Sequence, residues 1–580
     1  MGLLGILSLI QIGIIPGLLI TAQIKSLTRH DRTLLVLPLS CIANYFLVIT
    51  LVVLGFYNQT VLMVILAAEA VALLLYAKNG LLQGSYALDI SVLNKGEKNQ
   101  NNFVRWLVIF VLFFFTILTI KQAGTVFTDA DVVVSWNKWA IDWFNGVSPR
   151  NTYHYPQLLP ALYSLSYQFM GGVEVELFAK LVPALFPLMM LFTFLRIASL
   201  HRQHSTLYLL AIVLFWFSFS RMMGSTSAFN GYADLPLAYF VLLAIYLFEL
   251  ARVTPLSDQA NTNFIFLLLC AVVIAGGAIT KHSALYLAAI MPVAWYFHFR
   301  KASSMRQIMI AYMVMLLVAG HWFIYKQIQI YSGGDSSNLQ YLSELVALPW
   351  YAKLWHGVTM VSSKISWLWI PLLIAGVLTP LGRAHAVWIF IPYFLLWALF
   401  ASYDYRNLIL ALPSLAYIMA SGMIKVHEYF SRTEQSARIY RGVSIAVGLA
   451  LAAVILFMLS TPKIGTELAA LQKTAKRATG VPEFNERLYA FFEVHSEPAK
   501  IASTYYALSH LPGLKERDMP VSCNELEPLA DSHAVRFLIV EAHCPAEVSA
   551  RLASKYKKWF EGRDLIFYEV TANNLAKGSL

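Results

Sequence analysis

Residues 103–144 read FVRWLVIFVLFFFTILTIKQAGTVFTDADVVVSWNKWAIDWF, and the reading of this stretch decides what kind of protein the chain makes. Its first eighteen residues, 103–120, carry a single charge, Arg105. At about 1.5 Å per residue such a run nearly matches the roughly 30 Å hydrocarbon core of a bilayer. In a water-soluble protein the same run would be a buried core helix. Composition excludes that alternative: hydrophobic residues make up 58% of the 580 and charged ones 13%, where a soluble globule needs roughly a quarter charged. The chain therefore reads as a polytopic membrane protein. Disorder, a secreted disulfide scaffold and a cytosolic enzyme are excluded together.

Outward from that stretch, further apolar runs lie near 3–22, 34–56, 60–77, 176–198, 205–222, 232–251, 264–279, 283–299, 307–326, 358–379, 385–402, 408–424 and 442–461. With 103–120 this predicts about fourteen transmembrane helices. No basic residue precedes the first run and no small-residue cleavage site follows it, so it reads as a retained helix and not a signal peptide. Charge supports the topology. The segment from 462 onward holds 15 basic and 15 acidic residues, so the whole excess of +11 lies before it. That excess concentrates around Lys95 and Lys98, Arg196 and Arg202, Arg300, Lys301 and Arg306, and Lys425, Arg432, Arg438 and Arg441. Basic loops stay cytoplasmic. Alternating helices then put both termini outside, provided that 157–171 lies at the membrane surface without crossing. No basic run carries interleaved aromatics, so nucleic acid is not an expected partner.

Four segments follow: three N-terminal helices in 1–78, a cytoplasmic linker at 79–102, a catalytic transmembrane core over 103–461 with a first outer loop at 121–175, and a tail at 462–580. The tail alternates strand-like runs, VRFLIVE (535–541) and DLIFYEV (564–570), with a helical stretch at 546–558, and reads as a small extracytoplasmic α/β domain. Cys523 and Cys544 lie in it; an oxidising face permits their pairing, and two separate thiols remain the alternative.

The chemistry-bearing residues gather in the outer loops. Asp129 and Asp131 stand just past a hydrophobic helix, and Trp136, Trp139 and Trp143 follow at the spacing of one helical face. Tyr-His-Tyr-Pro at 153–156 brings His154 and Tyr155. An interfacial aromatic belt with capping aspartates explains the same residues without function. Asp234, beside Tyr232 in NGYADLP, is either a helix cap or a site carboxylate. Lys281, beside His282 in AITKHSALY, faces outward against the charge rule, so it either snorkels or meets an anion. Arg406, beside Tyr405 in YDYRNLILALP, can pair with Asp404 at the surface or serve a ligand. Together these groups offer what transfer from a lipid-linked phosphate demands: a carboxylate to take a proton, and cations, or a metal on carboxylates, to meet charge on the departing phosphate.

In this order the motifs, Asp131-Val-Val-Val-Ser-Trp-Asn-Lys-Trp-Ala, Tyr-Pro-x-x-x-Pro at 155–160, Gly-Tyr-Ala-Asp at 231–234, Thr280-Lys281 and Tyr405-Arg406, resemble the GT-C superfamily of membrane glycosyltransferases, the group of the protein mannosyltransferases and the lipid A aminoarabinose transferase. The resemblance covers about 103–430. It implies an inverting transfer of a sugar from a polyprenyl-phosphate donor to a glycolipid, glycan or protein acceptor, among membrane lipids on the outer face of a bacterial plasma membrane. It further implies Asp131 as base, with Asp129 as the nearby alternative, and Lys281 and Arg406 as donor-phosphate cations. His154, Tyr155, Tyr232, Asp234, His282 and Tyr405 would line the substrate cavity. No cofactor is required by this reading; a divalent cation, magnesium or manganese, on Asp129 and Asp131 stays open. The chain departs from the family in its three extra N-terminal spans and in a Tyr-Pro-Gln where better-known branches carry two prolines, which leaves the acceptor open. The alternatives are an O-antigen ligase or polymerase with its site in 327–357, a lipid or solute transporter, and a scaffold whose tail recruits partners.

Overall fold

The computed structural model describes residues 2–78, 126–200, 231–253, 259–299, 304–332, 348–362, 369–400, 405–430, 480–495 and 499–570, except 25, 128, 130, 151, 153, 154, 512 and 543, together with Tyr208, Ala211, Ile212 and Phe215. The described residues form two compact units. Residues within 1–123, 139–171 and 181–463 make the first; those within 124–138, 172–180 and 464–580 make the second.

The first unit is helical. Among the described residues nine helical stretches are long and apolar enough to cross a membrane: Gly2–Ala22, Arg29–Val53, Gln59–Lys78, Leu177–Ala198, Asp234–Arg252, Asn263–Thr280, Met305–Tyr331, Pro380–Phe400 and Tyr405–Phe430. The expected spans 103–120 and 442–461, and nearly all of 205–222, fall outside the described residues. The expected span 283–299 is the fifteen-residue helix Leu285–Phe299. Of the expected span 358–379, residues 358–362 belong to the helix Trp350–Ser362 and 370–377 to the helix Ile370–Val377, and 363–368 lie outside the described residues. Residues 333–347 of the 327–357 stretch are likewise outside the described residues.

Some polar groups between spans bond to other helices, the partners available in an apolar solvent. Gly17 donates its N–H to Ser40 Oγ at 2.8 Å. A Cβ at this glycine would lie 1.9 Å from the Val36 carbonyl oxygen, so only glycine allows the approach. Asn44 donates to the Gln11 carbonyl at 2.8 Å, and Gln11 returns a bond to Asn44 Oδ1 at 3.1 Å.

The segment expected to lie along the membrane surface forms the helix Leu158–Met170, ended by Gly171 in the left-handed conformation. Thirteen residues span about 20 Å, too short to cross. It does not float at an interface, however: every one of its residues is buried. Its polar side chains act as internal ties. Tyr57 and Ser164 share a hydrogen bond of 2.8 Å, Gln168 donates to the Tyr57 and Phe144 carbonyls, and Tyr163 donates to the Gly231 carbonyl at 2.8 Å. This helix is thus the platform on which the turn before Asp234 rests.

The second unit is built on a five-stranded sheet in the order β2-β1-β3-β5-β4, with β1 Ile501–Ser503, β2 Asp518–Pro520, β3 Phe537–Glu541, β4 Lys557–Gly562 and β5 Leu565–Glu569. β1 pairs parallel with β2 and β3, whereas β5 runs antiparallel to β3 and β4. Alternation along β3 sends Phe537 and Ile539 to one face, against the helix Pro482–Val494 through Phe484, Leu488 and Phe491. Leu538 and Val540 go to the other, with Leu526 and Leu552 of the helices Cys523–Asp531 and Ala546–Lys555. Both faces are covered, which explains why the strand reads as a continuous apolar run. Cys523 and Cys544 form a disulfide with their Cα atoms 5.5 Å apart.

Candidate active site

Asp234 opens the helix Asp234–Val253, whose N-terminal end favours a carboxylate. Gly231, at φ 100°, turns the chain into that helix, and its carbonyl is held by Tyr163. Lys281 follows the helix ending at Thr280, in extended backbone before a 3-10 turn, His282–Ala284. These two ends meet: Lys281 Nζ donates to Asp234 Oδ1 at 2.6 Å, and both side chains are buried. Of the two alternatives for Lys281, snorkelling or meeting an anion, the second holds, and the anion is the chain's own Asp234.

The neighbours of this pair extend it on both sides. Arg406 places its guanidinium 4.8 Å from the centroid of the Tyr232 ring, two residues before Asp234. It belongs to the 3-10 segment Tyr405–Ala411, which packs against the turn His282–Ala284 and against the Asp234–Val253 helix. Tyr393 anchors this segment by donating to the Asn407 carbonyl at 2.8 Å. On the other side, exposed His282 meets the edge of Tyr155 at 5.2 Å, and Tyr155 meets Trp139 at 6.1 Å. Of the residues singled out in the sequence, Tyr155, Tyr232, Asp234, Lys281, His282, Tyr405 and Arg406 thus come together at one end of the helical unit. His154 and Asp404 lie outside the described residues. Polar groups near the other end of the same helix, Glu249 with Arg252 and Asp31 with Arg196 and Tyr246, stand about 20 Å away by helical rise.

Asp129 and Asp131 belong to the second unit. Asp131 is exposed and Asp129 half-buried. The Asp129 carbonyl accepts from the N–H groups of Val132 and Val133, at 3.1 and 3.0 Å, and starts a π-helical turn over Val132–Asn137. Such turns are often found at functional sites. Trp136, Trp139 and Trp143, expected along one amphipathic face at the interface, are all buried in protein. Within this unit the Tyr506 hydroxyl is pushed up to about 12 by burial, with the carboxylates of Glu541 and Asp129 adding to the shift and Arg563 opposing it. Asp129 therefore shares its surroundings with the tail residues at the C-terminal ends of β1 and β3.

Two buried side chains that sequence reasoning missed hold this loop. Glu176 accepts the Phe127 N–H on Oε2 at 2.8 Å and the Asn137 side-chain amide on Oε1 at 2.9 Å. Lys180, one helical turn on, donates to the Val126 carbonyl. The available signal was an ionisable residue inside an expected span, 176–198. Lys326 is a similar case in the first unit, buried within the Met305–Tyr331 helix and donating to the Pro149 carbonyl at 3.0 Å. Among the described residues no group of three or more His, Cys, Asp and Glu side chains is placed to hold a metal ion.

No family model matches the chain, and no curated protein does. Among solved structures it is similar to ArnT from Cupriavidus metallidurans in the apo state, at 12% identity and a TM-score of 0.46, over 81% of this chain and 98% of that one. It is also similar to the archaeal oligosaccharyltransferase AglB from Archaeoglobus fulgidus in complex with an inhibitory peptide and a dolichol-phosphate, at 12% identity and a TM-score of 0.41, over 81% of this chain and 75% of that one. At this distance no residue role passes from either to this chain.

Proposed function

We propose that the chain is an inverting glycosyltransferase of the GT-C type, moving a sugar from a polyprenyl-phosphate donor to a glycolipid, polysaccharide or protein acceptor at the outer face of a bacterial plasma membrane. The observation that carries this reading is the gathering of Asp234, Lys281, Tyr232 and Arg406 at one end of a bundle of apolar helices. A lipid-linked phosphate sits at headgroup depth, so its cations belong at helix ends. A transport pathway would instead need ionisable groups through the middle of the spans.

In this scheme the Asp131 carboxylate takes the proton of an acceptor hydroxyl. The freed oxygen attacks the anomeric carbon from the side opposite the phosphate. The bond from that carbon to the phosphate oxygen breaks, and its electron pair leaves with the polyprenyl phosphate, so configuration inverts. Arg406 offers a planar fork of donors to the departing phosphate. Lys281 contributes its two N–H groups beyond the one given to Asp234. Tyr155, Tyr232 and His282 supply ring faces and polar edges to the sugar. Asp129 is the nearby alternative base.

The disulfide supports an extracytoplasmic tail, since such bonds persist on oxidising faces. The test is transfer by the full chain in liposomes supplied with radiolabelled polyprenyl-phosphate glucose, mannose and aminoarabinose. Consumption of one donor, with release of polyprenyl phosphate and loss of both in Asp131→Asn, is the expected outcome. A wild-type protein that consumes none and instead moves a solute or lipid across the bilayer would overturn the reading.

A further inference from the structure

We infer that Glu176 and Lys180 are positioning residues that hold the Asp129–Asp131 segment in its working conformation; this rests on the reading of Asp131 as the base. Glu176 is 1% exposed and Lys180 2%. Burying a carboxylate and an ammonium is costly unless each is bonded, and both side chains bond to one loop. Glu176 brackets it: one oxygen takes the backbone N–H of Phe127, two residues before Asp129, and the other takes the side chain of Asn137, six residues after Asp131. The two aspartates therefore lie between the two points at which a single carboxylate closes the loop.

Lys180 adds a third anchor at the preceding residue. Its ammonium donates to the Val126 carbonyl and lies 6.0 Å from the centroid of the buried Phe127 ring. Glu176 and Lys180 are themselves tied, since the Lys180 N–H donates to the Glu176 carbonyl at 2.9 Å in the first turn of the helix that follows. The start of a long apolar helix thus anchors Val126, Phe127 and Asn137. Exposed Asp131 is then delivered by a loop whose two ends cannot move independently. A general base earns its effect only within hydrogen-bond reach of its proton, and small misplacements cost large factors in rate.

Glu176→Gln tests the clamp with little change in shape. The amide must point its NH2 at either the Phe127 N–H or the Asn137 NH2, two donors facing each other, so one arm opens. The expected result is a fall in kcat of about 10- to 100-fold, with the donor KM changed less than about twofold. Amide hydrogen exchange across 126–137 should rise about tenfold while the rest of the chain keeps its protection. Asn137→Ala opens one arm without touching the buried carboxylate's own site, so it covers the case in which Glu176→Gln folds poorly. In the double variant both arms are open, so kcat should fall at least as far as in Glu176→Gln alone and by no more than the product of the two single losses. Wild-type kcat per folded molecule in Glu176→Gln and Asn137→Ala would overturn the inference. Asp131→Asn separates the two ideas: full activity there removes the base reading, whereas inactivity there with unchanged kcat in the Glu176 and Asn137 variants removes the clamp alone.

Discussion

Lys281 Nζ lies 2.6 Å from Asp234 Oδ1, and the two side chains are 9% and 7% exposed. The residues are 47 apart in sequence and stand at the ends of two different helices. A buried pair of this kind is poor evidence of net stabilisation, because each ion loses its hydration. Its consequence is that neither partner tolerates being left alone.

Asp234→Asn and Lys281→Met should therefore each destabilise the protein by about 3–5 kcal/mol. The double variant Asp234→Leu with Lys281→Met should recover most of that loss while leaving donor binding impaired. Denaturant unfolding of the full chain in detergent, read beside binding of undecaprenyl phosphate, checks both halves. Single variants as stable as the wild type would show that the pair is not closed in the folded protein.

Asp131 is the opposite case. It is exposed, so Asp131→Asn should change stability by less than about 0.5 kcal/mol. Transfer should fall by at least about 100-fold, the usual range for loss of a general base. If Asp131→Asn keeps its rate and Asp129→Asn loses it, the base is Asp129.

Arg406 combines charge with a ring contact, at 4.8 Å from the Tyr232 centroid. Arg406→Ala should raise the donor KM by about 10- to 100-fold. Arg406→Lys keeps the charge but loses the planar fork and the stacking, so it should recover only part of the affinity. Donor titrations with an unchanged KM in Arg406→Ala would remove it from phosphate binding.

How much of this was legible in the sequence depends on how local the cause is. The helices Arg29–Val53 and Asp234–Val253 follow from apolar runs, and β3 and β5 from the runs VRFLIVE and DLIFYEV, because hydrophobic period is written residue by residue. β4 was hidden: Lys557 and Lys558 mark an exposed edge strand, where charge is useful and apolar alternation is missing, and the helix expected to 558 stops at Lys555. The anomaly of Lys281, a cation in a loop expected on the outer side, was visible, but its partner was not, since nothing in either stretch encodes the distance between two helix ends. Glu176 was harder still. One of its partners is a backbone N–H, which leaves no trace in the residue type of Phe127. Whether Cys523 and Cys544 pair was equally undecidable from a spacing of 21 and is settled by where β3 ends.

That disulfide closes a loop of 21 residues and ties the start of the Cys523–Asp531 helix to the turn after β3. Chain-entropy arguments give such a loop about 3 kcal/mol. The double variant Cys523→Ser with Cys544→Ser should lose about that much stability in the tail, and the wild type should lose the same on reduction with dithiothreitol. A tail whose hydrogen-exchange protection is indifferent to reductant would contradict the pairing.

Asp518 begins β2, and its Oδ1 is buried without a hydrogen-bond partner among the described residues. Burial pushes its carboxyl up to about 6, with Lys500 opposing the shift. A folded-state value above the unfolded one, about 3.9, means that the folded protein holds this proton more tightly. The ionised group therefore costs stability above pH 6, and the cost is relieved as pH falls from 6 toward 4. Because the side chain is partly solvated, the cost is about 1 kcal/mol and not the full value of the shift. Asp518→Asn should stabilise the tail by that amount at pH 7.5, with the advantage shrinking to nothing near pH 4. Hydrogen exchange of the β1–β3 peptides in the full chain at pH 7.5 and at pH 5 measures it; an advantage that grows on acidification would mean the carboxylate has a cationic partner in solution and is stabilised by it.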